Sequence, residues 1–190
     1  MTSENFMLDA EKLKAVLLHV CKNVDPANLG KVKLHKILYF SDMLWYMQTG
    51  QPMTGVQYQK QEFGPMARGL NTILKQLEGD GHLRVQRRNF YGFEKTDFHV
   101  TGAAPDLSNR LSSEELELLV TVTEFVCEKS AKEISELSHN AAWHAASMGE
   151  NIPYFSAYGW WPNAVTDQDL AVAASIVATL PAKDSVKWCD

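Results

Sequence analysis

Apolar residues recur at helical spacing along most of this chain, and one stretch is apolar nearly all the way round. Between Lys31 and Gln48, residues Leu34, Ile37, Leu38, Leu44 and Trp45 form one apolar face, while Tyr39, Phe40, Met43, Tyr46 and Met47 fill much of the remainder. Several neighbours must cover such a helix, so this stretch is expected to be central, stopped by Gly50 and Pro52. A first helix is expected from about Asp9 to Lys22 on Leu13, Val16, Leu17, Val20 and Cys21, with the loop NVDPANLG ending it. The segment GQPMTGVQYQKQEFGP is too rich in Gly, Pro and Gln for a helix, and Val56, Tyr58 and Lys60 suggest a short extended piece. Pro65 suits the first turn of a further helix, with Met66, Leu70, Ile73, Leu74 and Leu77 on one face and Gly79-Asp80-Gly81 at its end.

The period then changes. Leu83 and Val85 alternate with Arg84 and Gln86, and Phe90 to Phe93 turn through Gly92 into a second strand, predicting an antiparallel hairpin or a three-stranded patch. Ser112-x-x-Glu115 and Ser130-x-x-Glu133 are capping-box signatures. They predict one helix with Leu116, Leu119, Val120, Thr123 and Cys127 on its inner face, and a second carrying Ile134 and Leu137, interrupted or continued through the run from Asn140 to Ala146. IPYFSAYGWWP reads as an aromatic loop, and Thr166-x-x-Asp169 opens a final helix. The expected class is α+β, mostly α-helical, with a central buried helix and a small antiparallel sheet. No repeat or long linker divides the chain, so residues 1–190 are expected to form a single domain.

Composition narrows the function classes. The net charge of -5 is uneven: residues 1–110 carry 14 Lys+Arg against 11 Asp+Glu, and residues 111–190 carry 4 against 12. The first part suits an acidic partner and the second a basic one, although a solvated surface accounts for either. Cys21, Cys127 and Cys189 are odd in number and form no CxxC, which suggests neither a disulfide framework nor a cysteine-rich zinc site. The start MTSENFMLDAEKLK lacks the basic and apolar regions of a secretory signal, and no run reaches the length of a membrane span. A cytoplasmic protein without membrane contact is expected.

Chemistry is sparse. A nucleophile would need Cys127 beside His139 or His144, but Cys127 falls on the apolar face of its helix and reads better as a structural thiol. His139 and His144 are five apart, not four, so they do not share a helix face as metal ligands. Neither GxGxxG nor GxxxxGK[ST] occurs. No catalytic residue, metal or cofactor is therefore expected. Helix, connection, helix and Arg-bearing hairpin in that order resemble a winged helix, with Arg84, Arg87 and Arg88 as phosphate contacts and Arg68 and Lys75 on the preceding helix. Against that, the overall acidic charge forgoes much of the counterion-release term, so nucleic acid remains the secondary reading. Lys33, Lys36 and Asp42 are charges on an apolar helix that need partners or a route to solvent. Among the aromatic residues Tyr39, Tyr46, Trp143, Tyr154, Phe155, Tyr158, Trp160 and Trp161, the Trp160–Trp161 pair is the best candidate for exposure, and aromatics of this kind anchor interfaces.

A family resemblance emerges from these same residues. Lys33-Leu34-His35-Lys36-Ile37-Leu38-Tyr39-Phe40, then Trp45, Gly50, Pro52 and Phe63-Gly64-Pro65, resembles the Panacea antitoxin domain, also called SocA-like or GepA-like. Leu137-Ser138-His139 with Trp143, then Ile152-Pro153-Tyr154, is similar to its closing motif. The resemblance covers about residues 8–158 and leaves an aromatic loop and helix at 159–182. The chain departs from the pattern at Lys60-Gln61-Glu62, where an aliphatic–Trp pair is common, and at Met66, where Val is usual. The resemblance implies a bacterial or phage antitoxin, encoded beside a small toxin and neutralising it by direct contact. Some paired toxins are alarmone-synthetase-like and stop translation, and a few relatives act as adaptors that hand the toxin to a protease. Asp42, Tyr46, Trp160 and Trp161 are the expected partner-facing positions.

Overall fold

In a computed structural model of the protein, the described residues are 6–90 and 93–160. Helix α1 (Ala10–Asn23) begins at Asp9, whose carboxylate accepts the Lys12 N–H at 2.9 Å. It presents Leu13, Val16, Leu17 and Val20 to the interior. Helix α2 (Pro26–Thr49) follows almost at once. The segment expected to be a loop is one helical turn, because Asp25 caps it and Pro26 fits its first position. Gly30, at φ 64° and ψ 161°, breaks α2 after that turn. The long part therefore starts at Lys31 and ends on Gly50, whose φ of 74° provides the left-handed cap that favours glycine.

The long part of α2 is the centre of the fold. Leu34, Ile37, Leu38, Tyr39 and Met43 are inaccessible or nearly so, and each contributes on the order of 2 kcal/mol of apolar burial. Helix α4 (Ser113–Cys127), helix α5 (Ala131–Leu137), strand β4 (Phe93–Val100) and a 3-10 turn at Tyr154–Trp160 all pack on it. Leu44 and Trp45, expected in the same core, are only half-buried.

Two small sheets complete the described residues. Strand β1 (Tyr58–Gln59) pairs antiparallel with β2 (Met66–Ala67) and with β5 (Asn151–Ile152), so Tyr58 lies opposite both Ala67 and Ile152. Strand β3 (Leu83–Phe90) pairs with β4 as the expected hairpin. The class is α+β and mostly helical, as the periodicity implies.

Several local expectations are corrected. Pro65 does not open a helix: Met66 and Ala67 pair with β1, and helix α3 (Leu70–Gly79) starts only after Gly69 at φ 79°. On α4 the capping box at Ser112 and Glu115 is present, but the inward stripe is Glu115, Leu119, Val122 and Val126. Glu115 turns inward because Lys12 of α1 reaches it at 2.5 Å. This rotates the face away from Val120, which is exposed, and from Thr123 and Cys127, which are half-buried. Leu137 on α5 is also exposed; of the two courses open after it the chain takes the interrupted one, with helix α6 (Ala141–Ala145) a short helix capped by Asn140. The aromatic loop is instead β5 followed by the 3-10 turn, with Tyr154 buried and its hydroxyl donating to Val56 O at 2.6 Å. Trp161, the expected final helix and Cys189 lie outside the described residues.

Candidate functional site

The motif residues are scattered from position 33 to position 154, yet many of them meet along one side of α2. Because the helix is buried on nearly all sides, its polar residues cannot all reach water, and each must find a partner inside. Lys36, only 1% exposed, donates from Nζ to Pro65 O at 2.9 Å. Burial pushes its ammonium down to about 7 from an ordinary 10.5. His35 accepts the Ala67 N–H at Nδ1, 3.1 Å away, which leaves Nε2 as the protonated nitrogen of a neutral ring. Burial, with Lys36 and Lys31 nearby, lowers its pKa to about 3. Lys33 does not reach out to solvent: it is buried and donates to Asn28 Oδ1 at 2.7 Å and Cys127 O at 3.1 Å.

Gly64 is the junction of this seam. Its φ is +87°, and its N–H closes a turn onto Gln61 O at 3.0 Å. A Cβ there would lie 2.2 Å from Ser138 Oγ and 2.6 Å from Lys36 Nζ, so α2 and the end of α5 converge on a position that only glycine fits. Gly64→Ala is expected to cost about 2–3 kcal/mol in urea unfolding, through backbone strain and overpacking together. Gly50→Ala, where a Cβ would meet nothing within 4 Å, should cost only the backbone part, about 1 kcal/mol. Equal losses at the two sites would rule out the packing role.

Next to Gly64, His139 stacks on Trp143 with ring centroids 3.9 Å apart and planes 18° from parallel. Trp143 donates from Nε1 to Gln61 O at 3.1 Å, and Lys60 Nζ sits 4.1 Å over its ring. Lys60 thus contributes a cation–π contact to the stack. His139 Nε2 is buried without a hydrogen-bond partner, and burial lowers the pKa of this ring. Asn140 caps α6 and donates to the Tyr39 hydroxyl at 3.2 Å. Lys36, Tyr39, Gly64, Pro65, His139 and Trp143 are therefore brought together, whereas Phe63 points to solvent, 59% exposed.

A second buried cluster surrounds Asp42. Its carboxylate accepts from Thr54 N at 2.6 Å, Thr54 Oγ1 at 2.6 Å and the Tyr58 hydroxyl at 2.7 Å. Burial pushes its pKa up, and these donors oppose that shift. Asp42 and Tyr46, expected to face a partner, are both buried, and Asp42 has no accessible surface at all. They face inward because Thr54, Tyr58 and Tyr154 converge on that side of α2. Trp160 is half-buried, its ring 5.3 Å from Tyr39 and 5.5 Å from Phe40, so its truncation would disturb packing as well as any contact. Leu34, Leu38 and Tyr154 are core, Pro52 is half-buried, and Pro153 is exposed beside β5.

The arginines of the hairpin, Arg84, Arg87 and Arg88, are exposed. Arg88 pairs with the buried Asp97, which removes part of its value as a phosphate contact. Cys127 is half-buried and its backbone carbonyl serves Lys33 and Asn28. Among the described residues no group of three or more His, Cys, Asp or Glu side chains is placed to hold a metal ion, and no helix is long and apolar enough to cross a membrane.

Sequence reasoning singled out Lys36, Tyr39 and Asp42 but not the Pro65 carbonyl, Asn140 and Thr54 that partner them. Asn140 had a signal in its capping position ahead of Trp143, and Thr54 had none. In comparison with known proteins, a family model described as "Antitoxin SocA-like, Panacea domain" matches residues 34–144, more than half of the chain. That span opens on the second residue of the α2 motif and closes just after Trp143. No curated protein and no solved structure matches.

Proposed function

Because the chain belongs to the SocA-like Panacea antitoxin family, we propose that it neutralises a cognate protein toxin by binding it directly. The match over residues 34–144 is the observation that carries this reading. The toxin is a small protein encoded beside this chain, and in the finer form of the proposal it is an alarmone-synthetase-like enzyme that stops translation. Binding masks the toxin without a chemical step, so the role requires no catalytic residue.

Phe63 is the position we assign to the contact. Tyr39 and Tyr154 of the motif are buried and Trp143 is half-buried, whereas Phe63 of the same motif spends its side chain on solvent. An exposed large apolar residue on a turn held rigid by Gly64 and Pro65 suits an interface anchor. Trp160 and Trp161, the other assigned positions, are less direct probes, because Trp160 also packs on α2.

The test is co-expression with the product of the adjacent open reading frame. That product is expected to arrest growth alone, to be rescued by this chain, and to co-purify with it. Phe63→Ala should weaken the complex by on the order of 2 kcal/mol while leaving the unfolding midpoint of the free chain unchanged. A neighbour that is harmless alone, or that does not co-purify, removes the proposal. Full rescue that vanishes when cellular proteases are deleted would replace masking with delivery of the toxin to a protease.

A further inference from the structure

A cavity of about 500 Å³ opens where α2 breaks. Gly30, Lys31, Val32 and Lys33 line it from the start of the long helical part, His35 and Lys36 from the next turn, Lys95 and Thr96 from β4, and Phe63 from the motif turn. A volume of this size is that of a small-ligand site. Its lining contains four lysines and no acidic residue.

The charge balance within the wall is one-sided. Lys31 makes no ion pair among the described residues. Lys33 and Lys36 are buried, and their hydrogen bonds go to carbonyl oxygens, which satisfy the N–H groups but leave the positive charges uncompensated. Carboxylates touch the lining away from these three lysines. Asp25 accepts the Ala27 N–H at 2.8 Å as the cap of the first turn; Asp97 lies 3.8 Å from Lys95 and also pairs with Arg88; Glu133 accepts the Ser130 N–H in its capping box. Among the described residues none of them pairs with Lys31, Lys33 or Lys36. The aligned peptide dipoles at the start of the long helical part add positive potential at the same place.

A second, independent feature points the same way. His35 is 97% buried by its 3% exposure, lines this cavity, and has no partner for Nε2. With Nδ1 occupied as an acceptor of the Ala67 N–H, the unpartnered nitrogen is a donor. A buried donor left unpaired costs about 1–3 kcal/mol, and an oxyanion held in this cavity would offset that cost by its charge.

We propose that this cavity binds a small ligand through a phosphate or diphosphate group, held by Lys31, Lys33 and Lys36 and by the N-terminal turn at Gly30–Val32. Phosphate fits better than carboxylate. The lining has lysines and no arginine, and separate point charges suit a tetrahedral oxyanion, whereas a planar carboxylate is matched by the guanidinium fork. The exposed ring of Phe63 at the rim offers a face for an aromatic ring carried by the same ligand.

Sodium pyrophosphate is the probe. Calorimetric titration of the full chain at about 0.15 M salt is expected to show saturable one-to-one binding. Lys31→Gln, on a partly exposed side chain, should weaken it about tenfold or more, a loss of about 1.4 kcal/mol. Lys22→Gln, beside a different cavity, should not change it. In a proton–nitrogen spectrum the His35 Nε2–H signal should shift on titration. Citrate, a carboxylate polyanion of similar charge, should bind at least about tenfold more weakly. Absence of saturable binding, indifference to Lys31→Gln, an unmoved His35 signal, or equal affinity for citrate would each overturn the proposal. Toxin rescue is read separately, so its failure leaves this result standing and the reverse also holds.

Discussion

Asp42→Ala is expected to destabilise the fold by about 3–5 kcal/mol in equilibrium urea unfolding. The carboxylate is fully enclosed and accepts from Thr54 N, Thr54 Oγ1 and Tyr58 OH. Truncation leaves all three donors buried and unpaired, and each costs about 1–3 kcal/mol less whatever water enters the space. The consequence reaches beyond one residue, because Thr54 O also accepts the Asp9 N–H at the start of α1, 2.9 Å away. The cluster thus ties α2, the segment after Gly50 and the cap of α1 together. Asp42→Asn keeps one acceptor and should lose less than Ala. Tyr58→Phe and Thr54→Val each remove one donor and leave the carboxylate two others, so each should lose about 1 kcal/mol. The single losses at Asp42 and Tyr58 should not add in the double variant, since the pair shares one bond. A cost below 1 kcal/mol for Asp42→Ala would mean that packing alone holds this region.

The sequence is legible where a pattern is local. α1, the long part of α2, the hairpin and both capping boxes are read from spacing and from a few Ser, Asp, Glu and Gly residues, because their determinants lie within one or two turns. What the pattern does not carry is the partner of a buried charge. Asp42 and Thr54 are twelve residues apart, Lys36 and Pro65 twenty-nine, and Tyr39 and Asn140 one hundred and one, so no window contains both ends. The same limit explains Pro65. Its suitability for a helix start is real, but a three-stranded sheet that includes Asn151–Ile152 claims the residues after it. On α4 an apolar stripe is ambiguous by one position, and the ion pair of Glu115 with Lys12 decides which way the helix faces. Asp42 and Tyr46 looked available to a partner because their burial depends on the far segments that cover them.

Lys36→Met is expected to leave the fold at least as stable as before near pH 7, and to remove a pH dependence that the native chain shows above it. Lys36 is charged in the unfolded chain up to its ordinary 10.5, but in the fold burial lowers that point to about 7. Between those values the unfolded state binds more protons than the folded state, so stability rises with pH across this window and is lowest below it. The whole span is worth up to roughly 5 kcal/mol at one unit per 1.36 kcal/mol, and the part between pH 7 and 9 about 2–3 kcal/mol. Buried groups that shift upward, such as Cys21, raised to about 12, and Tyr58, act in the opposite sense at higher pH. They are common to both chains and cancel in the difference between the native chain and the variant. At pH 7 methionine fills a similar volume without a desolvated charge, offsetting the lost hydrogen bond to Pro65 O, worth about 1 kcal/mol. A difference curve that stays flat from pH 7 to 9 would show that the ammonium is not depressed in the fold. A rising one, together with loss of pyrophosphate binding in a variant that is no less stable, would identify Lys36 as a charge kept for what it holds rather than for the stability it adds.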